Sequence, residues 1–184
     1  SVGVGGRVGA SLLHNDGNDS CFTGHLEADL DVLNGTIGVS VEKDVFADTA
    51  ELIENKIRVT NTKLYVSQAI TDSLSLFCSY RYGDYSDDNN ANDFQISPRY
   101  TIFTKNPTIN LQYKFRYLNF NRQSRSGYFD PNDFLSHQIL VSAYLEKDKL
   151  YGYVEPFIGY QSFRRYGDKS DDIIAICEKN PAAK

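Results

Sequence analysis

Charged and polar side chains recur at every second position in several segments of this chain. One group is basic and the other is acidic. With the neutral Gln112, their members are Arg81, Arg99, Lys114, Arg116, His25, Glu27, Asp29, Asp31 and Glu42. Separate rows of opposite charge create a field across the space between them, which orients polar, hydrated molecules. The spacing therefore indicates binding or passage of a polar solute. In a narrow fold, the same charges would instead pair with one another and fill the interior.

A second candidate site lies in the loop between residues 122 and 134, which carries Tyr128, Phe129, Asp130, Pro131 and Phe134. Proline fixes its own φ angle, and an aspartate before it can close a turn, so we expect a rigid, folded loop. Its aromatic rings could stack on sugars or fold into a pore as a constriction. The alternative is that they only pack the loop against the rim of the fold.

Catalytic chemistry has little support in the sequence. G-x-S-x-G, H-E-x-x-H and phosphate-binding loop motifs do not occur. Ser136 and His137 are adjacent, and adjacent strand residues point to opposite faces, so they cannot form a nucleophile and its base. The three cysteines and three histidines are scattered without metal-ligand spacing. We therefore expect no enzymatic activity, no cofactor and no metal.

Composition restricts the class of protein further. The chain has 184 residues, a net charge of −5, 13 tyrosines, 11 phenylalanines and no tryptophan. It contains no apolar run near the roughly 18 residues of a membrane helix. Its aromatic content argues against disorder, and its negative charge argues against nucleic-acid binding.

The apolar residues alternate with polar ones, which predicts β-strands throughout. The clearest case is Ile109, Leu111, Tyr113, Phe115 and Tyr117, interleaved with polar residues. Nine strands are predicted, with Ile173–Cys177 as a tenth. The fold class is all-β, an antiparallel up-and-down meander of 9–10 long strands that forms an outer-membrane β-barrel or part of one. We assign residues 1–172 to the barrel and 173–184 to the last strand and a tail.

The connections between these strands alternate between long polar loops and tight turns, five long and four short. In a meander, this places all long loops at one end, as in outer-membrane barrels. Strands of about 11–16 residues, longer than is usual in globular proteins, also favour a barrel. A soluble β-sandwich has similar alternation, with its apolar face in the core.

Three segments carry a family resemblance: Tyr80–Asp87, Tyr117–Phe120 and Gly127–Phe134. From about Asp44 to Tyr166, the sequence resembles the C-terminal barrel of bacterial exopolysaccharide-export porins. In that family, of which the cellulose exporter is the best-known member, a tetratricopeptide scaffold precedes the barrel. Those barrels usually have about 16 strands, so the chain is expected to be either one part of a longer porin or a small barrel.

The resemblance implies a passive pore in the bacterial outer membrane that exports a polar polymer such as an exopolysaccharide. Its expected partners are the lipid bilayer, the polysaccharide and a periplasmic tetratricopeptide scaffold. Two alternatives remain open at this point. One is a small filled barrel with a structural or surface-binding role, and the other is a soluble β-sandwich that binds carbohydrate.

Overall fold

The computed structural model describes residues 3–14, 20–45, 52, 55–124, 126–147, 150–164 and 172–175. Residues 176–184 of the predicted tail lie outside this range. The strands are β1 (Gly3–His14), β2 (Ser20–Val32), β3 (Gly35–Val45), β4 (Arg58–Ala69), β5 (Leu74–Tyr85), β6 (Asn90–Phe103), β7 (Thr108–Phe120), β8 (Asp133–Lys147), β9 (Leu150–Val154), β10 (Phe157–Arg164) and β11 (Asp172–Ala175). In the described part of the chain, no helix is long and apolar enough to cross a membrane.

All eleven strands belong to one antiparallel sheet whose order follows the sequence. Strands β9 and β10 both pair with β8 in one continuous register, so they act as a single strand interrupted at Glu155 and Pro156. Proline has no N–H to donate to the ladder, which accounts for the break. The predicted meander of nine strands, and a tenth near Ile173, is confirmed.

The sheet is a single layer. Among the described residues, strands contact only the neighbours with which they pair, and no pairing joins β1 to β11. The predicted β-sandwich alternative, which requires two packed sheets, is therefore wrong for this part of the chain. The sheet is barrel-like but not closed.

The tight turns lie at one end of the sheet and, with one exception, the longer connections lie at the other, as the alternation predicted. One boundary differs from the sequence-based expectation. The connection between β5 and β6 is one of those expected to be long, but β5 continues to Tyr85 and β6 begins at Asn90. The connection is thus a short hairpin of residues 86–89.

The two faces of the sheet differ in chemistry. We call the face that bears Glu27, Lys63 and Arg81 the polar face, and the face that bears Leu64 and Ile139 the apolar face. All strand residues that are buried in the described part of the chain lie on the polar face: Thr23, Gly38, Val59, Gly83, Ala91, Ser97, Leu118, Phe120, Phe134, Ser136 and Leu140. A single-layer sheet buries one face in this way when it curves toward that face.

The apolar face remains exposed along nearly every strand. Val8 has 82% of its surface accessible, Leu64 55% and Ile139 51%. This is the reverse of the pattern in a soluble protein, in which the apolar face of a sheet is covered.

Candidate functional site

The strand register places all ten residues of the predicted charged rows on the polar face. The acidic group lies on β2 and β3, and the basic group lies on β5, β6 and β7. That these residues line a lumen stays a prediction.

The basic group is built around a carboxylate that the sequence analysis did not single out. Asp93 accepts two bonds from Arg116, Nε to Oδ1 and Nη2 to Oδ2, both 2.9 Å, and a bond of 2.6 Å from Nη2 of Arg81. The Asp93 side chain is largely buried, whereas both arginine side chains are about two-fifths exposed. One carboxylate thus orients two arginines and leaves one net positive charge.

The rest of the basic group makes fewer ionic contacts. Arg99 donates to the neutral amide oxygen of Gln112 at 3.0 Å, and Gln112 in turn donates to Ser97 at 2.6 Å. Lys114 makes no ion pair within the ranges that the structure describes. This part of the polar face therefore keeps cationic donors available to a ligand.

The acidic group is held by a tyrosine that reaches across a strand. The hydroxyl of Tyr65 on β4 lies 2.8 Å from an oxygen of Glu27 and 2.8 Å from an oxygen of Asp29, both on β2. Its single proton is shared between the two carboxylates. The ring passes over Gly38 on β3, where an added Cβ would lie 2.2 Å from the ring.

Gly38→Ala is expected to displace the Tyr65 ring and to destabilise the sheet by about 1–3 kcal/mol, as overpacking usually does. Thermal unfolding in detergent micelles measures this change. The matched control is Gly9→Ala, because a Cβ at Gly9 meets no atom within 4 Å. Equal effects at both positions would contradict the proposed role of Gly38.

The loop between β7 and β8 folds back onto the polar face. The Tyr128 ring stacks on Tyr85 at 5.0 Å and contacts Phe120 at 5.6 Å. Phe129 makes edge contacts with Phe134 at 5.9 Å and Phe163 at 5.4 Å. The aromatic residues therefore anchor the loop, although Phe129 stays 49% exposed.

Asp130 does not close the expected turn at Pro131, because the N–H of Asn132 donates to the carbonyl of Arg164 at 2.8 Å. Asp130 accepts bonds from the backbone N–H of Ser124 at 2.5 Å and from its hydroxyl at 3.1 Å, so it bonds backward across the loop. Pro131 is fully buried, and its carbonyl accepts the N–H of Phe120 at 3.0 Å. Both residues thus fix the path of the loop.

A polar network ties this loop to the hairpin between β5 and β6. Asn89, which is completely buried, donates to the carbonyl of Arg122 at 2.8 Å and to the hydroxyl of Tyr128 at 3.0 Å. The side-chain oxygen Oδ1 of Asn89 accepts the backbone N–H groups of Asn90 and Arg122. Asp87 accepts bonds from Ser126 and Tyr128, and its backbone carbonyl accepts one from Arg122. We call this set of contacts the loop latch.

Burial raises the pKa of Tyr128 from 10 to about 12, and the nearby Asp87 carboxylate adds to this shift. The raised value favours the neutral phenol in the folded loop. The stability that it provides is complete below pH 10 and is lost as the pH rises through about 12. Tyrosine 13Cζ NMR, with Tyr128→Phe to assign the signal, should show this titration. Ionisation near pH 10 would show that the loop leaves Tyr128 in water.

A cavity of about 570 Å³ lies beneath the loop on the polar face. Its polar lining includes Arg81 and Arg116 together with the carboxylates of Glu42 and Asp44, and Phe129 is among its aromatic lining residues. Guanidinium groups bind planar anions, and aromatic rings pack against apolar ring faces. The cavity is thus suited to a polar, ring-containing molecule.

Comparison with known proteins bears on the fold. No protein-family model matches the sequence, and no curated protein matches it. A solved structure described as a bacterial polysaccharide outer membrane secretin superposes with a TM-score of 0.70 over 92% of this chain, at 12% identity. The two share a fold.

This chain covers 64% of the length of that secretin. At such low identity the likeness shows the architecture alone. It supports the fold implied by the family resemblance, but it does not identify the tetratricopeptide or cellulose-exporter family.

Sequence reasoning did not find Asp93, Tyr65 or the loop latch. The alternation could have placed Asp93, because it lies two residues before Gln95 and four before Ser97 and so falls on the same face of the strand. For the other two, the partners lie 33 or more residues apart, and sequence periodicity does not reveal such contacts.

Proposed function

We propose that this chain forms the wall of an outer-membrane β-barrel along which a polar polymer, such as an exopolysaccharide, passes without chemical change. The observation that carries the proposal is the reversed burial of the sheet. The apolar side chains are exposed, and the charged face is the buried one. Lipid would cover the first face, and a hydrated path would run along the second.

Several further features support an envelope location. Seven of the strands have 12 or more residues, and a membrane strand needs about 9–11. The structural likeness is to a protein whose description names both the outer membrane and a polysaccharide. Since lipid does not tolerate unpaired strand edges, β1 and β11 would need further strands beside them in the membrane.

A periplasmic tetratricopeptide scaffold is a further proposed partner, and it rests on the family resemblance alone. We also propose that the protein has no enzymatic activity.

Single tryptophans test the membrane orientation, because the natural chain has none. Ile139→Trp and Gln138→Trp change neighbouring positions on β8 that point to opposite faces. In reconstituted vesicles, brominated lipid should quench the fluorescence of Ile139→Trp strongly and that of Gln138→Trp little, and iodide in the buffer should do the reverse. Equal quenching of both variants by iodide would overturn the membrane assignment.

A second candidate function is a filled structural barrel. It is favoured by the Arg81–Asp93–Arg116 contacts and by the loop that covers part of the polar face. Conductance in planar bilayers separates the two functions. If the protein conducts ions and added polymer blocks the current, the result supports passage of polymer. If the protein inserts into the bilayer without conducting, the result supports the structural role.

A further inference from the structure

Charge is distributed unequally along the polar face. Strands β4 to β8 place five cationic side chains on it, with only two carboxylates, Asp93 and, at the tight-turn end, Glu146. The cations are Lys63, Arg81, Arg99, Lys114 and Arg116. Strands β1 to β3 show the opposite, with five carboxylates and Arg7. The sign of the charge therefore reverses between β3 and β4.

The acidic and basic regions differ in how many of their charged groups already have partners within the fold. Glu27 and Asp29 already share the hydroxyl of Tyr65, and Glu27 also lies 3.6 Å from His25 and 3.9 Å from Arg7. Asp31 accepts a bond of 2.8 Å from Thr36. Much of the acidic region is thus engaged within the fold.

The basic region keeps binding capacity. A guanidinium has five N–H donors, of which Asp93 takes two from Arg116 and one from Arg81. Because Asp93 fixes both groups, less side-chain entropy is lost when they bind a ligand. Lys114 and Arg116 also line a second, adjoining cavity of about 170 Å³ together with Gln138 and Gln161.

An aromatic ring lies beside these cations. Phe129 lines the same 570 Å³ cavity as Arg81 and Arg116, and its ring is held by Phe134 and Phe163. Glu42 and Asp44 on β3 line the same cavity. A flat apolar surface next to two guanidinium groups matches a sugar ring that carries a carboxylate. A neutral sugar would not balance the one net positive charge that Arg81, Arg116 and Asp93 carry together.

We propose that the polymer is acidic, with uronic-acid-type sugars whose carboxylates bind Arg81 and Arg116 while Phe129 packs against the sugar ring. Lys114 extends the same track toward the tight-turn end. This inference rests on the proposed function and names the chemical class of its polymer.

The experiment titrates the full chain, refolded in detergent micelles, with three hexasaccharides followed by calorimetry. The probes are an oligouronate, the neutral cellohexaose and the cationic hexamer of glucosamine. We expect the oligouronate to bind at least tenfold more tightly than either of the others. Its affinity should fall as salt increases from about 50 to about 500 mM, because salt screens charge pairs.

Variants locate the site. Arg116→Gln should weaken oligouronate binding by about tenfold or more, as expected for loss of a charge-assisted fork. Lys114→Gln should weaken it less, and it keeps the proposal testable if Arg116→Gln does not fold, since Lys114 makes no ion pair in the described structure. Arg58→Gln removes the same charge from an exposed position outside the polar face and should have no effect.

The outcomes separate the two proposals. Equal affinity for neutral and acidic hexamers, or preference for the cationic one, would overturn the acidic polymer and leave a polysaccharide path in place. If none of the three sugars binds, the acidic polymer and the polysaccharide path both fail, whereas the tryptophan variants still decide the membrane orientation.

Discussion

Val39→Lys is expected to destabilise the protein in a lipid bilayer by about 2–4 kcal/mol, the cost of a cation on the lipid face near the middle of a membrane strand. Val39 lies mid-strand on β3, on the apolar face, and pairs with Ala28 and Leu64. It is 39% exposed, on the face that lipid would cover in the proposed barrel. The change is measured by a urea titration of folding in vesicles, in which the folded fraction is read from the gel mobility of unboiled samples.

Ser40→Lys is the matched control, since Ser40 is the next residue and lies on the polar face. It pairs with Glu27 on one side and Lys63 on the other, so an added cation meets one charge of each sign. We expect a change below about 0.5 kcal/mol, which is usual for a tolerated substitution. If Val39→Lys were tolerated equally well, the apolar face would be in contact with water and the proposed membrane location would be wrong.

Asn89→Ala is expected to release the loop latch. The free energy needed to open the loop should fall by about 2–3 kcal/mol. The side chain is completely buried and bonds to Arg122 and Tyr128, and its removal takes away the partner of the Arg122 backbone N–H and carbonyl. A change of this size raises the open population by about thirtyfold or more. Trypsin cleavage after Arg122 in folded protein should accelerate accordingly.

The control for this variant is Asn121→Ala, an exposed asparagine in the same loop. It should leave the cleavage rate unchanged. Unchanged cleavage in Asn89→Ala would show that the aromatic contacts of Tyr128 hold the loop without the polar network. In that case the conductance of the Asn89→Ala protein should also match that of the natural chain.

The sheet could be predicted from the sequence because its information is local. The alternation of Ile109, Leu111 and Tyr113 with polar residues fixes which side chains share a face, whatever the partner strands are. The alternating long and short connections then give the meander and the end at which the long loops lie. The ten predicted polar-face residues share one face for this reason.

The contacts within the polar face could not be predicted in the same way. The bond from Tyr65 to Glu27 depends on the register of three strands and on the absence of a side chain at Gly38. Asp93 meets Arg116 because β6 extends further than its polar sequence suggested. The path of the 121–132 loop depends on Asn89, a residue in a different connection. Such features follow from the three-dimensional pairing and not from periodicity.

The contact pattern of the single-layer sheet has a consequence for how such proteins change size. Among the described residues, each strand touches only the strands paired with it, so a hairpin can be gained or lost without rearranging the pairs that remain. An added hairpin contributes one more pair of rows to each face and increases the circumference of a closed barrel. If the proposed barrel forms, its width and its charge can therefore vary independently, because the number of hairpins would set the width and the polar-face residues would set the charge.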